Sequence, residues 1–159
     1  MDDAEQIIDS LDLSLHPEGG YYRETYKSDQ QVRLPDEVQR HAGTGIYFLL
    51  TEGVLSDWHC VRWDELWHFY DGDLLILEVI DQDGKLNKLK LGKDFDDDVE
   101  FQQLVPQNCW QRAYSTGDYS LVGCTVSPGF EFEDFEMIKP ENLAEKYPNI
   151  RDEILNSPV

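Results

Sequence analysis

What most constrains this 159-residue chain is a succession of short apolar runs, each closed by turn residues. They are Tyr21 to Tyr26, Thr44 to Leu50, Trp58 to Trp63, Glu65 to Tyr70, Leu74 to Ile80, Lys85 to Lys90, Phe101 to Val105, Trp110 to Tyr114 and Ser120 to Val126. Asp71-Gly72-Asp73, Asp83-Gly84, Pro106-Gln107-Asn108 and Thr116-Gly117-Asp118 separate the later ones. Strands recurring every ~8–12 residues specify a sandwich or barrel. No strand alternates with a helical pattern, so a doubly wound parallel sheet is disfavoured.

Both ends carry a weaker helical signal. Ile7, Ile8 and Leu11 are at helical spacing among acids over residues 2–11. Leu143, Tyr147, Ile150, Ile154 and Leu155 line one face of a second segment, broken by Pro148. His16-Pro17-Glu18-Gly19-Gly20 reads as a tight turn, since glycine supplies the positive φ that turns need. Residues 27–43 read as a polar loop, and Asp96-Asp97-Asp98 as a solvated turn rather than a calcium loop. One domain over residues 1–159 is expected, with a barrel core at about 20–136 and a helical tail at about 140–157.

Thirteen basic residues against thirty-three acidic ones give a net charge of −20. Nucleic-acid binding needs clustered Lys and Arg to displace counterions, so it is excluded, as is an anionic membrane surface. No run approaches the ~18 apolar residues of a membrane-spanning helix. Cys60, Cys109 and Cys124 are odd in number and widely spaced, which fits neither a disulfide framework nor a CxxC site. Cys60 and Cys124 read as small buried hydrophobes. A reducing cytoplasm is the expected location.

Four histidines are few, so their positions matter. His59 lies in SDWHCVRWDELWHFYDG, shares a strand face with Val61, and precedes Glu65. In a closed barrel one face of each strand points into the lumen, where an imidazole and a carboxylate would meet. His68 has the opposite parity to Glu65 and is expected on the outer face. His41 carries no functional case. The plain alternative for His59 is a core histidine bonded to Glu65 and inert.

The spacing Gly53, His59, Val61, Glu65, Gly72 resembles the first cupin motif, G-x5-H-x-H-x3-E-x6-G, with every gap matched. Pro106, Asn108 and Gln111 are similar to the second, P-x-G-x2-H. HPEGGYYRETY, DELWHFYDGD, VPQNCWQ and YSLVGCTVSPGFEFEDFE further resemble one uncharacterised cupin family. That resemblance implies an all-β double-stranded β-helix, the jelly-roll barrel, with short flanking helices, and a habit of dimerising. Exposed edges and the outer-face residues Tyr47 and Leu49 would suit a homodimer.

Two of the family's four metal-ligand positions are changed, to Val61 and Gln111. Valine cannot coordinate, and an amide oxygen is a poor ligand for zinc or iron. No cofactor is therefore expected; a transition metal would fall to His59, Glu65 and Gln111. Cupin sugar-nucleotide epimerases are similar in using a barrel histidine, without metal, to move a proton beside a carbonyl. Their Gly-x-Phe-x-Glu-like strand resembles Gly20 to Glu24, with Tyr22 and Glu24 at the matching positions. The arginine those enzymes carry before that glycine is replaced here by Glu18-Gly19.

The expected site thus comprises His59 as base and Glu65 orienting it. Tyr22, Arg23, Glu24, Tyr47, Trp58, Gln111 and Arg112 are its ligand contacts, Arg23 and Arg112 as anion anchors. Tyr47 and Tyr114 are candidate proton donors. The functional expectation is a small-molecule-binding cupin, acting as a metal-independent isomerase or epimerase on a carbonyl-bearing sugar or sugar-nucleotide-like compound. The alternatives are a metabolite-binding cupin without chemistry and, third, a metal-dependent enzyme.

Overall fold

The computed structural model describes residues 1–95 and 98–159; Asp96 and Asp97, from the expected solvated turn, lie outside the described residues. Helix α1 (Asp3–Ser10) opens the chain, held by Asp2 and Glu5, each side chain accepting from the other's backbone N–H. The strands follow as β1 (Ser14–Leu15), β2 (Tyr21–Lys27), β3 (Gln31–Arg33), β4 (Gln39–His41), β5 (Thr44–Thr51), β6 (Leu55–Val61) and β7 (Asp64–Gly72). Then come β8 (Leu75–Ile80), β9 (Leu86–Leu91), β10 (Val99–Glu100), β11 (Gln102–Val105), β12 (Trp110–Ser115), β13 (Tyr119–Ser127) and β14 (Phe135–Met137). Helices α2 (Pro140–Lys146) and α3 (Arg151–Leu155) close it, joined by a 3-10 turn over Pro148–Ile150.

Two six-stranded sheets face each other, ordered β1-β2-β5-β13-β7-β11 and β10-β9-β8-β12-β6-β14. Their pairings are antiparallel except β9 with β10. This is the jelly-roll. Phe48, Leu50, Trp67, Phe69, Leu75, Leu77, Val105 and Val122 fill the lumen between the sheets. A second core lies outside, where Trp58, Ile80 and Trp110 meet Leu143, Ala144 and Ile154 of the C-terminal helices.

Three expectations need correction. The loop expected over residues 27–43 contains the β3–β4 hairpin, made of polar residues that carry no alternating apolar signal. Strand β14 pairs with β6 although its sequence, Phe-Glu-Met, is mostly exposed. Leu49 is fully buried within the chain, not an outer-face residue free for a partner. No helix among the described residues is long and apolar enough to cross a membrane.

Candidate functional site

At one end of the lumen the packing stops and a cavity of about 250 Å³ opens. His59 from β6 and Glu65 from β7 line it, with Tyr22 and Glu24 from β2. His16 and Glu18, from the turn before β2, line it too. The rest is apolar apart from Thr44, and includes Phe130, Phe132 and Phe135.

Glu18 is the residue that organises this end. The turn closes by hydrogen bonds from His16 N–H to the Gly20 carbonyl and from Gly19 N–H to the His16 carbonyl, 2.9 and 3.0 Å. Asp57 N–H then donates to the Glu18 carbonyl at 2.8 Å, laying the turn on β6. Glu18 Oε2 accepts from His59 Nε2 at 3.0 Å and also from the Ser56 hydroxyl. The carboxylate bonded to His59 is therefore Glu18, not Glu65 as expected.

Gly19 makes this turn feasible. Its φ is +104°, and a Cβ there would stand 2.3 Å from the Leu55 carbonyl oxygen. Gly19→Ala is expected to lose at least the ~1–3 kcal/mol of a strained non-glycine backbone, because the obstructing atom is main chain. Urea unfolding measures this, and an unchanged midpoint would contradict the role given to the turn.

His59 is held as an imidazolium. Nδ1–H donates to the Asp57 carbonyl at 2.7 Å while Nε2–H faces Glu18, so both nitrogens act as donors. Burial pushes its pKa down, but the Glu18 charge and hydrogen bond overcome this, and Glu65 and the Asp57 carbonyl add to them, leaving it at about 9. Burial likewise pushes Glu18 up, and His59 together with His16 and Ser56 outweighs it, so Glu18 ends below the ordinary range.

Glu65 behaves in the opposite way. Burial is the main cause of a pKa raised to about 7; Glu18 adds to it, while His59 and Gln111 pull against it. Gln111 Nε2 donates to Glu65 Oε1 at 2.8 Å, and Trp67 Nε1 donates to Gln111 Oε1 at 3.1 Å. The indole thus fixes which way the amide points, and the amide fixes which carboxylate oxygen is engaged. Trp67, beside the same carboxylate, also pulls the Glu65 pKa down against the burial that raises it.

Glu18 N–H donates to His16 Nδ1 at 3.1 Å, and Glu18 Oε1 lies 3.3 Å from the same nitrogen; burial lowers the ring's pKa against the pull of Glu18, and the nearby His59 adds to the lowering, which favours the neutral ring. The proton is then on Nε2, which has no partner among the described residues. The ring packs edge-on against Tyr22 with centroids 4.5 Å apart and against Phe48 at 5.7 Å.

Tyr22, Glu24, His59 and Glu65 line one cavity, with Gln111 bonded to Glu65. Four expected contacts do not. Arg23 and Tyr47 lie against each other on the outer face of the sheet, the guanidinium 5.6 Å from the ring centroid. Trp58 belongs to the outer core. Arg112 is buried beneath α3, bonded to Glu78 through Nε at 2.8 Å and to the Ile154 and Glu153 carbonyls at 3.2 Å. Neither arginine can anchor an anion in the cavity. Tyr114 is likewise absent from the lining, so neither tyrosine named as a proton donor stands there. His68 bonds Thr125 at 2.9 Å, outside the lumen.

Against this geometry the family model described as Cupin superfamily (DUF985) matches residues 5–138. The chain belongs to the cupin superfamily. Among similar proteins, SO0799 from Shewanella oneidensis is 38% identical over all of both chains, with a TM-score of 0.87. A hypothetical protein from Leishmania major is 35% identical, covering 96% of this chain and 97% of its own, with a TM-score of 0.89. The uncharacterized protein YML079W of Saccharomyces cerevisiae is 27% identical over 154 residues, 87% of this chain and 76% of that protein. Oxalate decarboxylase of Bacillus subtilis shares only the fold, at 16% identity and a TM-score of 0.58 over 91% of this chain and 37% of that one.

The cupin ligand positions do not fit a metal here. Val61 has no donor atom. Both His59 nitrogens are engaged as donors, and Gln111 turns its amide nitrogen to Glu65 and its oxygen to Trp67. Zinc and iron require lone pairs that this set has already directed elsewhere.

Proposed function

We propose that this cupin binds a small molecule in its barrel and moves a proton on it without a metal, as an isomerase or epimerase of a compact, carbonyl-bearing, sugar-like compound. The observation carrying this is Glu65, buried on the cavity wall and ionising at about 7. A general base works best when its pKa lies near the operating pH. Glu65 replaces His59 in that role, because His59 has no free lone pair.

In the reaction proposed, the Glu65 carboxylate takes the proton from a carbon beside the substrate carbonyl. The C–H electron pair forms the enolate double bond as the carbonyl π pair moves onto oxygen, which accepts a hydrogen bond from His16 Nε2–H. Return of the proton by Glu65 to the former carbonyl carbon, as the neighbouring hydroxyl proton passes to the enolate oxygen, moves the carbonyl; protonation by water on the opposite face, with Glu65 giving its proton to solvent, gives the epimer. His59, paired with Glu18, supplies a fixed positive centre that favours the ionised form of Glu65. A sugar-nucleotide substrate loses its support, since no Lys or Arg among the described residues lines the cavity.

Solvent deuterium wash-in across a panel of aldoses and ketoses tests this reading. Glu65→Gln should slow exchange by roughly 10²–10⁴-fold, the usual contribution of a positioned acid–base group. The engaged nitrogens of His59 favour a second reading, a metabolite-binding cupin without chemistry. That reading prevails if sugars bind and none exchanges.

We also propose a homodimer, supported by Tyr70 and Leu104, half-exposed on the outer face of the first sheet. Light scattering at micromolar concentration should give twice the chain mass; the mass of one chain would refute it. The three cysteines are unpaired thiols, which supports the reducing compartment expected.

A further inference from the structure

The charge balance of the cavity points to a ligand class. Among the described residues its ionisable lining consists of His16, Glu18, Glu24, His59 and Glu65, with Tyr22 and the buried Cys124 thiol uncharged. The positive charge of His59 is matched by Glu18 at 3.0 Å. His16 is neutral. Glu65 and Glu24 remain, so the uncompensated charge is negative. Cations on neighbouring elements are already paired: Lys27 with Glu131 at 3.3 Å, Arg40 with Asp134 at 2.7 Å, and Arg62 with Asp36.

A second, independent observation lies in Glu65 itself. Glu65 is 7% exposed and lines the cavity, with Gln111 Nε2 donating to its Oε1 from behind. A carboxylate buried this deeply at a cavity wall calls for a further donor or a positive charge from the ligand. The surrounding walls agree. Tyr22, Phe130, Phe132 and Phe135 line the same space, and aromatic faces attract cations through their quadrupoles. An anion would meet the field of a chain with net charge −20 and two carboxylates on its path.

We propose that the cavity selects a small ammonium-bearing carbonyl compound of the amino-sugar type, its N–H donors received by the Glu65 carboxylate and its charge faced by the aromatic wall. This rests on the proton-transfer reading for the carbonyl but not for the charge. Binding of the ammonium beside Glu65 holds that group ionised, ready to act as base.

Glucosamine, glucose and glucuronate share one ring and differ in charge. Titrated calorimetrically into the full-length protein at pH 7, glucosamine should bind at least tenfold more tightly than glucose, and glucuronate most weakly. Glu65→Gln should reduce the glucosamine preference to within about threefold of glucose, and Glu24→Gln should lower it partially. Equal affinities, a preference for glucuronate, or no binding of glucosamine would overturn the proposal. The charge order without any wash-in would keep the ligand class and sink the proton-transfer reading. Wash-in with glucuronate preferred would do the reverse.

Discussion

Glu18→Gln should destabilise the protein by about 3–5 kcal/mol at pH 5.5, the usual result of stripping the partner from a buried charge. His59 would then be the uncompensated group, enclosed at 1% exposure with its other nitrogen fixed on the Asp57 carbonyl. The loss should shrink towards pH 8, because His59 without Glu18 can shed its proton. Urea unfolding of both proteins across this range measures the difference, and an equal loss at every pH would mean that the ion pair is not its origin.

The pH dependence of the wild type has the opposite sign. A histidine raised to about 9 contributes stability that is complete below 6.5 and lost as pH rises through 9. Glu65, raised to about 7 from 4.5, resists ionisation in the fold, so stability also falls between those values. Glu18 contributes above 4.5 and loses its contribution as pH falls through its lowered value. Stability should therefore decline from pH 5 to 9 in the wild type, whereas in Glu18→Gln the decline between pH 5 and 7 should be flattened or reversed, because His59 sheds its proton there and offsets Glu65.

Arg112→Leu should lose a similar ~3–5 kcal/mol, for a structural reason. The guanidinium is 3% exposed, stacks 4.6 Å from the Trp58 ring centroid, and ties Glu78 to the end of α3. Its removal strands the Glu78 carboxylate, which is 2% exposed and, among the described residues, keeps only Lys88 at 3.9 Å as a cationic partner. The C-terminal helices should loosen first, seen as faster amide exchange over residues 140–155. Ligand affinity in the cavity should stay the same once the fold is saturated. A selective loss of ligand binding would restore Arg112 to the site.

The barrel was legible because its strands are bounded by Gly, Pro, Asn and Asp, and because the motif spacing survives the loss of two ligands. The hairpin β3–β4 and strand β14 were not, since polar, exposed strands carry little alternating apolar signal. Arg23, Tyr47, Trp58 and Arg112 were assigned to the site, and all four point away from it. Each adjoins a residue that faces inward: Tyr22 and Glu24, Ile46 and Phe48, His59, and Gln111. Successive strand side chains alternate faces, so placing the inward neighbours already places these four outside. Glu18 was missed for a different reason. Flanked by Pro17 and Gly19-Gly20 it reads as turn punctuation, although it follows one of only four histidines. That one residue of a turn crosses to β6 and claims His59 is a tertiary fact, absent from local pattern.

The central claim is that Glu18 locks His59 as an imidazolium and leaves Glu65 as the group that titrates at the cavity. NMR titration of the His59 ring nitrogens and the Glu65 side-chain carboxyl carbon reads both at once. At pH 7 His59 should carry protons on both nitrogens and titrate at about 9, with Glu65 at about 7. A singly protonated His59 at pH 7, with Glu65 already fully ionised at pH 5.5, would contradict the account.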